Sequence, residues 1–135
     1  MRDLIFAGGG LASVLTALTL LEAHPELEIL VIELAPRLGG RHTWSFHETD
    51  LDPAERTRIA PFIVHSWSQQ QVRFPAYTRT LDVPYHSITA SHFADVAVKR
   101  LGDRLRVGCE VASLDDSGVT LASGERLEAR CVIDG

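Results

Sequence analysis

Cysteine is scarce in this 135-residue chain. Cys109 and Cys131 stand alone, with no CxxC pair and no framework of spaced cysteines. A disulfide-stapled scaffold is thereby excluded, and the two thiols suit a reducing compartment, with at most one bridge left open. Positive charge is also short. Thirteen basic residues face 18 acidic ones for a net charge of −5, and no basic run offsets it, which argues against nucleic acid as a partner. Repeats and low-complexity segments are missing. A single long uncharged run exists, the 18 residues from Leu4 to Leu21. That length raises a membrane span or a signal-peptide core. Three consecutive glycines near its start would weaken such a helix badly. Met1-Arg2-Asp3 carries no net positive side-chain charge, and no small-residue cleavage site follows Leu21. Both readings are rejected.

What is present is enough apolar residue, 45% of the chain, for one domain with a real core. The chain is organised around Leu4–Glu33. Leu4 to Ala7 is an apolar run ending in Gly8-Gly9-Gly10, as a buried parallel strand does at a tight turn. From Leu11 the apolar residues Leu11, Val14, Leu15, Leu18 and Leu21 follow helical spacing, with small Ala12 and Ala17 between them. His24-Pro25 stops that helix, because the residue before proline leaves the helical region. Ile29 to Ile32 is a second apolar run, closed by Glu33.

Strand, glycine turn, helix, strand is the context a dinucleotide-binding fingerprint requires. Gly8 allows the sharp turn. Gly9 and Gly10 leave the backbone bare, so a pyrophosphate can approach the N–H groups of Leu11 and Ala12 at the helix N-terminus. Glu33 lies 20 residues past Ser13, where a carboxylate accepts hydrogen bonds from an adenosine ribose. Ser13 departs from the pattern, which wants glycine or alanine at this third position. Either helix and strand pack further apart, or the hydroxyl finds a partner.

A second informative stretch follows, Arg37-Leu38-Gly39-Gly40-Arg41. It resembles the glycine-doublet motif of flavoproteins such as amine oxidases and carotenoid desaturases. Gly39 and Gly40 let amides approach a diphosphate, and Arg37 or Arg41 can donate to its oxygens. The doublet favours FAD over NAD as the tightly held cofactor.

His42 and His47 bracket an aromatic segment, Thr43-Trp44-Ser45-Phe46. Five positions apart, the two histidines fall on opposite faces of a strand and diverge by about 140° on a helix, so no shared metal ion is expected. Ser45 lacks a nucleophile elbow. Trp44 and Phe46 could line a flavin or an apolar substrate, or serve as core aromatics. Asp52-Pro53-Ala54-Glu55 reads as a helix start with a capping box, ending before Pro61. Strands are expected at Val64–Trp67, Gln71–Phe74 and Thr80–Val83, and Ser87–Ala90 leads into a helix over roughly Ser91–Leu101. Leu105–Leu114, Val119–Leu121 and Leu127–Ile133, separated by Asp/Gly turns, predict a β-meander. The fold class is therefore α/β: a Rossmann-like FAD/NAD(P)-binding βαβ unit with an added antiparallel meander. Asp134-Gly135, at the end of the last strand, would bring backbone to the cofactor again. An apolar strand reaching a glycine with nothing after it leads to the expectation that residues 1–135 are the N-terminal part of a longer FAD-binding domain.

Taken together, several runs resemble the bacterial lycopene β-cyclases: GGRHTWSFH from Gly39, Asp50-Leu51, Ile59–Pro61, VHSW from Val64, QVRFP from Gln71, SITASHF from Ser87, and ARCVIDG at the end. The likeness spans nearly the whole chain. It implies an enzyme of carotenoid biosynthesis that folds the ends of lycopene into β-ionone rings without net redox change. It further implies reduced FAD, with NAD(P)H as electron donor, a carboxylic acid that protonates a terminal double bond, and a fixed negative environment for the carbocation. Gly8, Gly10 and Glu33 carry over as FAD contacts, with Gly39, Gly40, His42, Thr43 and Trp44 nearby. The family's acidic FLEET motif is not in this sequence, so the catalytic acid is unknown and the chain alone should not cyclise. Glu48 and Asp50 are the acids nearest the aromatic segment and read as solvated loop charges. Lycopene lives in membranes, so the resemblance implies a cytoplasmic enzyme peripheral to the membrane. The alternatives are another glycine-doublet flavoenzyme, a desaturase or hydroxylase, or a non-catalytic nucleotide-binding fragment.

Overall fold

The computed structural model describes residues 1–135. In chain order the elements are β1 (Arg2–Ala7), α1 (Leu11–Ala23), β2 (Ile29–Ile32), β3 (Thr43–His47), α2 (Pro53–Ile59), β4 (His65–Trp67), β5 (Gln70–Phe74), β6 (Tyr77–Leu81), β7 (Tyr85–Thr89), α3 (Ala90–Leu101), β8 (Leu105–Arg106), β9 (Val111–Asp115), β10 (Gly118–Leu121) and β11 (Arg126–Asp134). The chain divides into two compact units, Met1–Gly40 with Ala94–Gly135, and Arg41–Phe93.

The first unit is a six-stranded sheet in the order β8-β2-β1-β11-β10-β9. Its centre is parallel, β1 pairing with β2 and β11 and β2 with β8. The meander β9-β10-β11 is antiparallel, as expected from its Asp/Gly turns. All four residues of β2 are buried, which is what an unbroken apolar run means in a parallel strand covered on both faces. Ile5, Leu30 and Ile32 join Val119, Leu121 and Ala129 in one cluster. Phe6, Ile29 and Val31 alternate onto the other face and are equally buried.

Helix α1 starts at Gly10 and ends at His24, whose N–H donates to the Leu20 carbonyl at 2.7 Å before Pro25. Its buried residues are Ser13, Val14 and Ala17. Of the expected apolar stripe only Val14 is fully buried, while Leu11, Leu15, Leu18 and Leu21 are half-buried. Small side chains let the helix come close to the sheet, and the leucines flank that contact.

The stretch Leu105–Leu114, expected as one strand, is two. Gly108, at φ 65°, turns the chain between β8 and β9, and its N–H donates to the Ala35 carbonyl at 2.9 Å. Between β9 and β10 the Asp115 carboxylate accepts from the Ser117 N–H at 2.8 Å, the Ser117 hydroxyl at 2.7 Å and the Arg126 guanidinium at 2.6 Å. Arg126 first, then Ser117, holds its carboxyl well below the usual carboxylate range.

The second unit contains the antiparallel sheet β3-β7-β4 and a separate hairpin, β5-β6. Helix α2 begins as its sequence predicts. Asp52 caps the Glu55 N–H at 2.9 Å, Glu55 returns a bond to the Asp52 N–H at 2.8 Å, and Pro53 opens the first turn. Ile59, Phe62, Ile88 and Phe93 form a small core. Strand β6 starts at Tyr77 rather than Thr80, because Phe74 and Tyr77 close the hairpin around Pro75-Ala76. No helix is long and apolar enough to cross a membrane. The uncharged run Leu4–Leu21 is divided among β1, the glycine turn and α1.

Candidate functional site

β1 lies between β2, its successor through α1, and β11, which returns on its other side. A crevice outside the carboxyl ends of parallel strands forms where connections diverge in this way. Here a cleft of about 430 Å³ opens among Ala7, Gly8, Ile32, Glu33, Asp134 and Gly135.

Three glycines line the turn, and each is bare for its own reason. Gly8 has φ 121°, and a Cβ there would run into the Gly135 carbonyl. At Gly9 a Cβ would run into the Leu38 side chain, with Glu33 Cβ and Oε2 at 3.1 Å. Gly10 is different. A Cβ added to it meets nothing within 4 Å. It is also the N-cap of α1, with no side-chain hydrogen bond capping the helix and no acidic residue in the first turn. The N–H groups of Leu11, Ala12 and Ser13 precede the first intrahelical bond, from Val14 N to the Gly10 carbonyl at 3.0 Å. Open space over uncapped, partly positive amides is what a diphosphate requires.

Glu33 is fixed beside that turn from four directions. Its Oε2 accepts from the Gly9 N–H at 2.9 Å and its Oε1 from the Ala35 N–H at 2.8 Å. Its own N–H donates to the Arg106 carbonyl at 2.8 Å, and its carbonyl accepts from Cys109 at 3.0 Å. An ionised carboxylate has about four acceptor positions, so room for ribose hydroxyls remains. Asp134 stands opposite Ala7, and the Gly135 N–H donates to the Ala7 carbonyl at 2.9 Å. The end of the last strand thus lies beside the glycine turn.

The other expected residues are placed less simply. Gly39 and Gly40 both have left-handed backbone, at φ 81° and 58°, so the doublet is a turn that side chains would strain. Arg37 is exposed and its guanidinium pairs with Asp95 at 2.8 Å. His42, Thr43 and Trp44 belong to the second unit. The His42 carbonyl accepts from Ala90 at 3.0 Å, Thr43 is exposed at the start of β3, and half-buried Trp44 meets Phe93 edge-on at 5.2 Å. Phe46 lies 5.3 Å from the His86 ring. Glu48 faces Arg56 at 3.7 Å and His86 at 3.8 Å, while Asp50 accepts from the His47 N–H. No three His, Cys, Asp or Glu residues come together as metal ligands. Sequence reasoning missed Leu34, Cys109, Glu110, Val111 and Leu114, which line the cleft. A glycine at 108 inside an apparent strand was the available signal, since such glycines mark breaks.

This architecture defines a class. The chain superposes on 2-methyl-3-hydroxypyridine-5-carboxylic acid oxygenase with a TM-score of 0.73 at 22% identity, over 98% of this chain and 38% of that one. A protein described as an FAD-containing monooxygenase from Photorhabdus luminescens matches at 0.63 and 14%, over 100% and 39%. A geranylgeranyl bacteriochlorophyll reductase-like protein from Thermoplasma acidophilum matches at 0.66 and 20%, over 99% and 38%. The fold is thus the Rossmann-like fold of FAD-containing monooxygenases, and the chain spans under two-fifths of the length of each of these proteins.

Sequence gives the family. The family described as "Lycopene cyclase protein" matches residues 3–135, and the chain belongs to it. It is 44% identical over 135 residues to the lycopene beta-cyclase of Pseudescherichia vulneris, covering 100% of this chain and 35% of that protein. Its identity to the Paracoccus sp. lycopene beta-cyclase is 41%, over 99% of this chain and 34% of that protein. The chain spans about a third of the length of these relatives.

Proposed function

We propose that this chain is the FAD-binding N-terminal portion of a lycopene β-cyclase, which converts lycopene to β-carotene by acid-initiated, non-redox ring closure. One observation carries the cofactor reading. The space above Gly10 is open at an uncapped helix start, while the neighbouring Gly9 is closed off by Leu38 and by a carboxylate already turned toward the turn.

In this reading the N–H groups of Leu11 and Ala12 hold the diphosphate, and Glu33 accepts the ribose hydroxyls with the lone pairs that Gly9 and Ala35 leave. Gly39 and Gly40 give a second stretch of accessible amide backbone. Leu34 and Leu114 add apolar surface to the lining of the cleft, which Gly135 shares. Reduced FAD, replenished from NAD(P)H, would supply a fixed negative charge near the cationic centre formed on lycopene. Glu48 and Asp50 are engaged in local pairs and caps, which supports reading them as structural and placing the proton donor elsewhere in the longer protein. Lycopene is a membrane hydrocarbon, so the whole enzyme would work as a peripheral protein on the cytoplasmic side.

Flavin absorbance of the purified chain, and its loss on dilution, tests the binding step. In the longer protein carrying this sequence, Glu33→Ala should weaken FAD binding by about 1–3 kcal/mol, because it orphans the ribose hydrogen bonds; unchanged affinity removes Glu33 from the site. For the reaction, the longer protein carrying this sequence is supplied with lycopene. Ring-bearing product is expected. Hydroxylated or desaturated product without rings would assign it instead to another class of glycine-doublet flavoenzyme.

A further inference from the structure

We propose that Ser13 and Gly135 together replace the fingerprint's third glycine, fixing the spacing between α1 and the tip of β11 and with it the height of the diphosphate cradle. The proposal rests on the flavin-binding reading above.

The third glycine of such a fingerprint exists because helix and strand pass too closely for a side chain between them. Here the helix carries one. Ser13 is only 6% exposed, and its hydroxymethyl group is directed at the tip of β11. A Cβ on Gly135 would run into Ser13 Oγ, with Ser13 Cβ at 3.7 Å and the Ala7 carbonyl at 3.9 Å. The bare Cα has moved from the helix to the strand. The space is the same; the residue that leaves it empty is 122 positions further along.

Two further contacts tie this seam to the turn. A Cβ on Gly8 would run into the Gly135 carbonyl, and the Gly135 N–H donates to Ala7 at 2.9 Å. Gly8, Ser13 and Gly135 therefore form one stack. Close-packed interiors transmit displacement rather than absorb it. Ser13 sits in the first turn of α1, so a shift there moves Gly10 and the N–H groups of Leu11 and Ala12 as a rigid piece.

The test is a cycle of four chains: parent, Ser13→Gly, Gly135→Ala and the double variant. Urea unfolding without nucleotide measures the packing, and titrations with FAD, ADP and adenosine measure the site. Gly135→Ala should bind FAD and ADP about tenfold more weakly, with coupling of the size typical for residues in contact. Ser13→Gly, which only removes atoms and cannot clash, should weaken both about threefold and remains informative if the alanine variant does not fold. The double variant should recover to within about twofold of the parent, in stability and in affinity. Adenosine, which has no phosphate, should bind all four alike. Additive effects in the double variant overturn the proposal, as does an adenosine loss equal to the ADP loss, which would mark a merely structural contact. A parent that binds neither FAD nor ADP overturns it together with the flavin reading; a parent that binds both while the variants simply add overturns this proposal alone.

Discussion

Gly8, Gly9 and Gly10 are identical letters with different neighbours: backbone at the first, side chains at the second, open space at the third. That difference separates stability from binding. Gly10→Ala keeps a backbone that alanine accepts, φ −69°, meets no neighbour, and should cost no more than the loss of a favourable N-cap, about 1 kcal/mol. Its FAD affinity should nonetheless fall at least about tenfold, since a methyl group enters the path of the diphosphate. Gly9→Ala should do the reverse first, costing about 1–3 kcal/mol in urea unfolding because Leu38 and Glu33 must move. Equal stability losses for the two variants would contradict this division. At this scale the sequence displays the glycines and the acid, because the fingerprint is local. It cannot display that a Cβ on Gly135 would meet Ser13 Oγ, because that approach depends on a strand that arrives from the far end of the chain.

Elements were legible where their signals sit inside them. Asp52, Pro53 and Glu55 announce α2, and all three act as their positions predict. β3 and β7 carry no comparable mark. TWSFH and YHSIT alternate aromatic, hydroxyl and imidazole side chains, and become strands through pairing with each other, Trp44 opposite Ile88 and Phe46 opposite His86. The β9–β10 turn offers a pH test. The folded Asp115 carboxyl sits below its ordinary value, so its contribution to stability is complete above the usual carboxylate range and is lost as pH falls through the depressed value. Asp115→Asn should therefore lower Tm at neutral pH, with the gap to the parent closing only in strong acid. A gap that stays constant down to strongly acidic pH would assign the effect to something other than this carboxylate's charge.

For the molecule as a whole, the two units differ in how much backbone they bury. Ile5, Phe6, Leu30 and Val31 lie in paired, fully covered strands, whereas β5 and β6 form a two-stranded hairpin with Phe74 and Tyr77 exposed. A hairpin without a third strand is marginal in water. Native-state hydrogen exchange should find the β1 and β2 amides slowest and the β5–β6 amides faster by about a hundredfold or more. Equal protection would mean that the hairpin opens only with the parallel centre.

The pairing of β1 with β2 on one side and β11 on the other also orders events in time. A ribosome lays down the glycine turn more than a hundred residues before the Gly135 carbonyl that closes beneath Gly8. Contacts so distant along a chain form slowly. A nucleotide held as the flavin reading proposes would then be captured only once β11 has docked beside β1.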